Sequence, residues 1–286
     1  MNVRTIKELI HQYNLGISPR RMGQCFLVDA KALARLASVL EATSEDQILE
    51  IGAGLGALTD ELVMTMAQVV AVEKDPRFFK VLSDRFRESP RVQLVQADIL
   101  KLTLSSYAEE SPKGLLVIGN IPYSMTSPIL EWMLSQRRWI RRAVLTVQKE
   151  VALRIVARPG TKIYSSISIG AQVAFKPSIA FQISPGAFYP QPKVTSAVLR
   201  LDPLLKPVVP PEEEEGVLKL TRQIFLHRRK TLLNALELSG IRMEKEAIRK
   251  VLVSVGFDPA RRPETLHLQE VASLCRVLLE RKIYDK

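Results

Sequence analysis

Cysteine, histidine and aromatic residues are all scarce in this 286-residue chain. Its two cysteines, Cys25 and Cys275, are far apart. They make neither a disulfide framework nor a four-ligand zinc site, so no metal is expected and a reducing cytoplasm is the expected compartment. The three histidines, His11, His227 and His267, fall outside every motif that carries chemistry, which argues against histidine-based acid–base catalysis. No apolar run approaches the ~20 residues that a membrane span needs. The opening residues 1–14 lack the apolar core of a secretory signal. No internal repeat or long low-complexity tract is visible.

What is present is an ordinary globular composition with a basic excess. Hydrophobic residues make up 47% and charged residues 25%, which excludes a disordered or collagen-like chain. Lys plus Arg number 41 against 30 acids, a formal net charge of +11. That charge calls for a polyanionic partner, nucleic acid first and an anionic membrane surface second. Arginine pairs bidentately with phosphate and stacks on bases, so the 24 arginines among the basic residues favour nucleic acid.

Helical spacing covers Val3–His11 and Lys31–Glu41. Short apolar runs then alternate with amphipathic stretches. Strands are expected at Gln47–Ile51, Val69–Glu73, Val92–Ala97, Leu115–Ile118 and Ala143–Val147. Helices are expected at Ala57–Met66, Pro76–Arg87, Ser127–Ser135 and from Lys149. This alternation implies an α/β fold with a parallel sheet and right-handed crossovers. Pro177–Ile183 and Val194–Leu201 are extended again and are expected to pair antiparallel at a sheet edge. The proline-rich stretch Leu201–Gly216, with its run Glu212–Glu215, reads as a linker. Only helical patterns come after it: Val217–His227, Lys230–Leu238, Glu244–Val255 and Leu268–Arg281, with Gly240 and Gly256 as helix stops. The expected organisation is an α/β domain over residues 1–204 and a small helical domain over 205–286.

The first central strand runs into Gly52-Ala53-Gly54-Leu55-Gly56 and then a helix. Glycines there let the backbone turn sharply and approach a ligand. The loop lacks the Gly-Lys-Ser/Thr ending of a phosphate-binding loop, and its G-x-G-x-G spacing differs from the dinucleotide fingerprint. Glu73 ends the next strand, where a carboxylate can accept from both ribose hydroxyls. Asp98 comes just after the third strand, placed to accept from an adenine amino group. Glycine loop, Glu and Asp on three consecutive strand tips suit an adenosine cofactor without pyrophosphate, namely S-adenosylmethionine.

The fourth strand ends in Gly119-Asn120-Ile121-Pro122-Tyr123. Here the chain resembles the ribosomal RNA adenine dimethyltransferases, for which Asn-Ile-Pro-Tyr is the characteristic form of the amino-methyltransferase motif. The resemblance extends over Gly23–Asp29, Glu50–Thr59, Gln148–Val151, Phe188–Val194, Phe225, Arg228–Leu232 and Asn234–Leu236, nearly the whole chain. It implies a Rossmann-like S-adenosylmethionine-dependent methyltransferase domain followed by a small C-terminal all-helical domain. One branch of the family dimethylates two adjacent adenines near the 3′ end of small-subunit rRNA; the other modifies one adenine of large-subunit rRNA. A third use of the fold is non-catalytic, in transcription or assembly factors. Gly-Gln-x-Phe-Leu-Val-Asp near the start and Arg228-Arg229-Lys230-Thr231-Leu232 look like the first branch.

The resemblance implies cofactor contacts at Cys25, Leu27, Gly52, Gly54, Glu73, Asp98 and Asn120. Cys25 stands where the family usually has Asn or His, and Thr195 where it often has Asp. The target amino group needs help because its lone pair is delocalised into the adenine ring. The Asn120 side-chain oxygen and a carbonyl of the Ile121-Pro122 segment can accept its two hydrogens, favouring the geometry that attacks a methyl group. Tyr123 and Phe188 are candidate plates for a flipped-out base. Paired cations at Arg20-Arg21, Arg137-Arg138, Arg141-Arg142, Arg228-Arg229-Lys230 and Arg261-Arg262 are candidate RNA contacts. The partner implied is small-subunit rRNA within a pre-30S particle, bound by a monomer with no membrane involvement.

Overall fold

The apolar runs of the first half of the chain become strands buried in the middle of a seven-stranded sheet. The computed structural model describes residues 1–16, 25–109, 111–241 and 243–280. Its strands are β1 (Phe26–Leu27), β2 (Gln47–Ile51), β3 (Gln68–Glu73), β4 (Val92–Gln96), β5 (Leu115–Asn120), β6 (Ile140–Gln148), β7 (Phe175–Ile183), β8 (Phe188–Tyr189) and β9 (Ser196–Pro203). The large sheet has the order β4-β3-β2-β5-β6-β9-β7. Strands β4, β3, β2, β5 and β6 are parallel, and β9 runs antiparallel against β6. Every residue of β2 is buried, as are Leu115–Gly119 of β5. Near-continuous apolar runs are what a parallel sheet covered on both faces requires.

Consecutive strands on opposite sides of β2 create a topological switch. The chain moves outward from β2 to β3 and β4, then returns to β5 on the other side of β2. A crevice opens at the carboxyl ends of strands at such a point, and this is where open α/β sheets bind ligands. One face of the sheet is covered by the helix Ala30–Ser38, whose Leu33 and Leu36 pack with Ile48, Leu116, Ile118, Val144 and Val198. Asp29 caps that helix by accepting from Ala32 N–H at 2.8 Å.

The chain divides into two units: residues 1–152 with 177–203, and residues 153–176 with 204–286. The continuous first domain expected over 1–204 is thus interrupted by an excursion. Its cause is tertiary: Tyr164, fully buried, stacks edge-on against Phe225 at 5.7 Å and donates to the Leu266 carbonyl at 3.2 Å. In the same unit the helix Ser166–Gln172 contacts the helix Pro211–Leu226. The linker is also shorter than expected. β9 continues to Pro203, and the next helix begins at Pro211 with Glu212–Glu214 in its first turn. Proline suits the first helical position, and acids there complement the helix dipole, so the acidic run starts a helix. The helices Leu232–Glu237, Lys245–Ser254 and Leu268–Glu280 complete the unit. Gly216 lets the helix carrying it approach Cys275, whose Sγ would lie 3.2 Å from an added Cβ. Cys275 is therefore a packing residue. Among the described residues no helix is long and apolar enough to cross a membrane.

Candidate functional site

At the carboxyl ends of β2, β3 and β5 lies a cavity of about 510 Å³. Cys25, Leu27, Gly52, Gly54, Glu73, Asp98, Asn120, Ile121, Pro122 and Tyr123 all line it. Gly52 turns the chain out of β2 with φ +69°, and a Cβ built on it would meet nothing within 4 Å. The floor of the cavity is thus bare backbone, open to close approach by a ligand. Gly119 has a different role: a Cβ there would sit 2.9 Å from the Ile51 carbonyl, so glycine lets the tips of β5 and β2 close together.

Glu73 holds the glycine loop. One carboxylate oxygen accepts from Gly54 N–H and the other from Asp75 N–H, each at 2.8 Å. Burial pushes its pKa above the usual carboxylate range, and these backbone donors oppose the shift. Asp98 accepts from Lys74 Nζ at 2.8 Å and from Leu100 N–H at 3.1 Å, capping a short 3₁₀ turn. The Lys74 ammonium lowers its pKa.

Asn120 is oriented by the chain entry. Its Nδ2 donates to the Cys25 carbonyl at 3.1 Å. A carbonyl can only accept, so this contact fixes the amide nitrogen toward Cys25 and leaves Oδ1 as the atom able to accept from a ligand. Position 25 makes this contact through its backbone, so the contact does not depend on the side chain there. The thiol is half-buried, and burial raises its pKa. Beyond Asn120 the Pro122 carbonyl accepts from Met125 N–H at 2.8 Å. The half-buried Tyr123 shares a 2.7 Å hydroxyl–hydroxyl bond with Ser196.

One expected site residue is placed elsewhere. Phe188 is only 4% exposed, packs in the core on Leu27, and is not on the cavity wall. The antiparallel pair of β1 and β8 turns it inward. Several cations are likewise committed to folding. Arg141 pairs with buried Asp46 at 2.8 Å. Arg142 bonds Glu41, Asp202 and the Leu40 carbonyl at 2.7–2.9 Å, and Arg200 joins the same two acids. Arg261 forms a two-point pair with Glu270, and Arg228 donates to the Lys162 carbonyl. Arg229 and Lys230 are exposed. Arg20 and Arg21 lie outside the described residues.

Glu50 is a site residue that motif spacing did not single out. It lines the cavity, is 1% exposed, and accepts from Thr59 Oγ1 at 2.6 Å. Its signal was an acid inside an otherwise apolar strand just before the glycine loop. Burial pushes its pKa up to about 8 from an ordinary 4.5. A carboxyl whose folded pKa is raised favours the fold at low pH, and this contribution is lost as pH rises from about 4.5 toward 8. Glu50→Gln mimics the protonated acid. Thermal melts should show little change near pH ~5 and a higher melting temperature than wild type near pH ~9. A difference independent of pH would mean that Glu50 is ionised throughout.

The donor set fits S-adenosylmethionine. Glu73 and Asp98 are acceptors at two strand tips, the glycine floor admits close contact, and the wall is largely apolar.

Comparison with known proteins agrees with this geometry. Residues 18–272 match the family model described as ribosomal RNA adenine dimethylase. The ribosomal RNA small subunit methyltransferase A of Geobacter metallireducens is 42% identical over 266 residues, covering 92% of this chain and 97% of that protein. The protein of the same name from Moorella thermoacetica is 40% identical, with 92% and 93% covered. Among solved structures, a dimethyladenosine transferase from Plasmodium falciparum superposes with a TM-score of 0.75 at 23% identity, covering 90% of this chain and 98% of that one. The 23S rRNA methyltransferase ErmE gives 0.64 at 26% identity, covering 88% and 99%. The fold is thus the Rossmann-like methyltransferase fold with an appended helical region. With a family match over most of its length and relatives of this similarity, the chain belongs to the ribosomal RNA adenine dimethylases, enzymes that use S-adenosylmethionine.

Proposed function

We propose that this protein places two methyl groups on N6 of each of two adjacent adenosines near the 3′ end of small-subunit (16S) rRNA. The observation that carries the methylation of an amino group is the amide of Asn120, a cavity-lining residue whose Nδ2 is held by the Cys25 carbonyl so that Oδ1 is left as the acceptor. When bound, S-adenosylmethionine supplies an electrophilic methyl group on a sulfonium. Glu73 accepts from the ribose hydroxyls and Asp98 from the adenine amino group of the cofactor. Cys25, Leu27, Gly52 and Gly54 form the wall and floor.

Asn120 Oδ1 accepts one hydrogen of the target amino group. The second acceptor is the Ile121 carbonyl; that of Pro122 already accepts from Met125 N–H and has one lone pair left. Two acceptors outside the ring plane draw the nitrogen toward tetrahedral geometry and stabilise its developing positive charge. No strong base is needed, because a methylated anilinium-like nitrogen loses its proton readily. Tyr123 is the plate that holds the flipped base.

Relatives at 36–42% identity named for the small subunit support the small-subunit target. The likeness to ErmE favours a large-subunit target, at lower identity. The protein acts in the cytoplasm as a monomer on a pre-30S particle. A direct choice tests the target: labelled methyl groups offered with unmodified small and large subunits in one reaction should enter the small subunit. Label entering the large subunit would install the second reading.

The exposed cations Arg229 and Lys230 of the helical unit contact phosphate. Reversing both to Glu should weaken RNA binding and flatten its dependence on salt, since each lost phosphate contact removes about one released counterion. Filter binding across a salt series reads this directly; an unchanged slope would assign the pair to helix solvation alone.

A further inference from the structure

We infer that Ser196 is a positioning residue for the target base, acting through the hydroxyl of Tyr123. The inference rests on the proposal that Tyr123 is the base plate. Tyr123 sits just past the tip of β5 and lines the cavity. A flat ring on a short turn can rotate about its own side-chain bonds unless its far end is held. Here that end is held by the 2.7 Å bond to Ser196 Oγ.

The bond crosses the top of the sheet. Asn120 of β5 is in register with Thr146 of β6, and Thr146 with Val198 of β9. Ser196 lies two residues before Val198, at the start of β9, so its side chain falls on the same face. Only an antiparallel β9 begins at the end of the sheet where the parallel strands finish. The inserted strand thus delivers a hydroxyl to the crevice from two strands away. Ser196 is fully buried. Its position is fixed by the ladder to Gln148, so it is a rigid anchor and not a mobile surface group.

Energetically the bond joins two groups that have poor alternatives. Tyr123 is half-buried, and Ser196 has no access to water. Removing the Tyr123 hydroxyl leaves the buried Ser196 hydroxyl without this partner, and removing that of Ser196 frees the end of the ring, so the pair is coupled. The functional consequence is preorganisation. With the ring plane set before the base arrives, the adenine amino group meets Asn120 and Ile121 in register. Without it, the same groups are present but misaligned, and small misplacements of reacting atoms are costly in rate. The same plate must serve twice, because the monomethylated base has one hydrogen fewer with which to find its place.

The test compares Ser196→Ala, Tyr123→Phe, the double variant and Tyr123→Ala, using small ribosomal subunits that lack the modification. Single-turnover methylation is measured per folded, cofactor-binding molecule, with S-adenosylmethionine affinity by calorimetry and folding by thermal melts. Ser196→Ala and Tyr123→Phe should each slow the reaction on the order of tenfold, with cofactor affinity unchanged. The double variant should be no slower than either single one, because both remove the same bond. Wild-type rates in Ser196→Ala, or losses that multiply in the double variant, would overturn the inference. If Ser196→Ala fails to fold, Tyr123→Phe still decides, since it keeps the ring and loses only the tether. Tyr123→Ala separates the two claims. Its inactivity beside a fully active Ser196→Ala removes the tether and keeps the plate, whereas wild-type activity in Tyr123→Ala removes both.

Discussion

Asn120→Ala should lower the rate of methyl transfer by about 100- to 1,000-fold while leaving RNA affinity intact. The factor is that of one preorganised acceptor lost from a transition state that develops charge. RNA affinity holds because phosphate contacts dominate it. The substitution has a second consequence, since Asn120 Nδ2 also ties β5 to the Cys25 carbonyl. Cofactor affinity should therefore fall modestly, through a looser wall. The two transfers differ in kind: adenine offers two amino hydrogens and monomethyladenine one. A variant with residual first-step activity should accumulate monomethyladenosine. Single-turnover assays at saturating RNA and cofactor resolve both steps. Near wild-type rates would remove Asn120 from the activation of the amino group.

Glu73→Ala is the second large effect, and it acts before chemistry. The expected loss of S-adenosylmethionine affinity is ~1.5–3 kcal/mol, the cost of charged hydrogen bonds removed. That corresponds to roughly 10- to 150-fold in the dissociation constant. Both oxygens of Glu73 are already used by the protein, on Gly54 N–H and Asp75 N–H. Its lone pairs therefore serve loop and ligand together, and alanine releases the floor as well as the ribose. Glu73→Gln keeps one acceptor oxygen and should retain part of the affinity. Calorimetry that finds affinity unchanged in Glu73→Ala would exclude Glu73 from the site, whatever the state of the loop.

The site was legible in the sequence to the extent that it is built from strand tips. A parallel strand buried on both faces is a plain apolar run, and the residues just past its carboxyl end must lie at the crevice. Gly52, Glu73 and Asp98 follow from this logic and Asn120 from the motif at the end of the fourth strand, and all four line the cavity. Groups whose role depends on distant partners were not legible. Arg142 reads as half of an RNA clamp, yet its partners Asp202 and Glu41 stand 60 and 101 residues away. Phe188 sits in a proline-rich loop that suggests exposure, but a two-residue pairing with β1 buries it. Residues 153–176 carry no composition shift, and tertiary contacts such as the packing of Tyr164 on Phe225 assign them to the helical unit. Ser196 is one serine among many until the antiparallel register of β9 brings it to Tyr123.

Nucleoside mass spectrometry of small-subunit RNA, after incubation of unmodified particles with this protein and S-adenosylmethionine, tests the central claim most directly. The expected result is N6,N6-dimethyladenosine at two adjacent positions near the 3′ end, absent when Asn120→Ala replaces the wild-type protein at matched times. Unmodified small-subunit RNA, or methylation at another atom of the base, would contradict it.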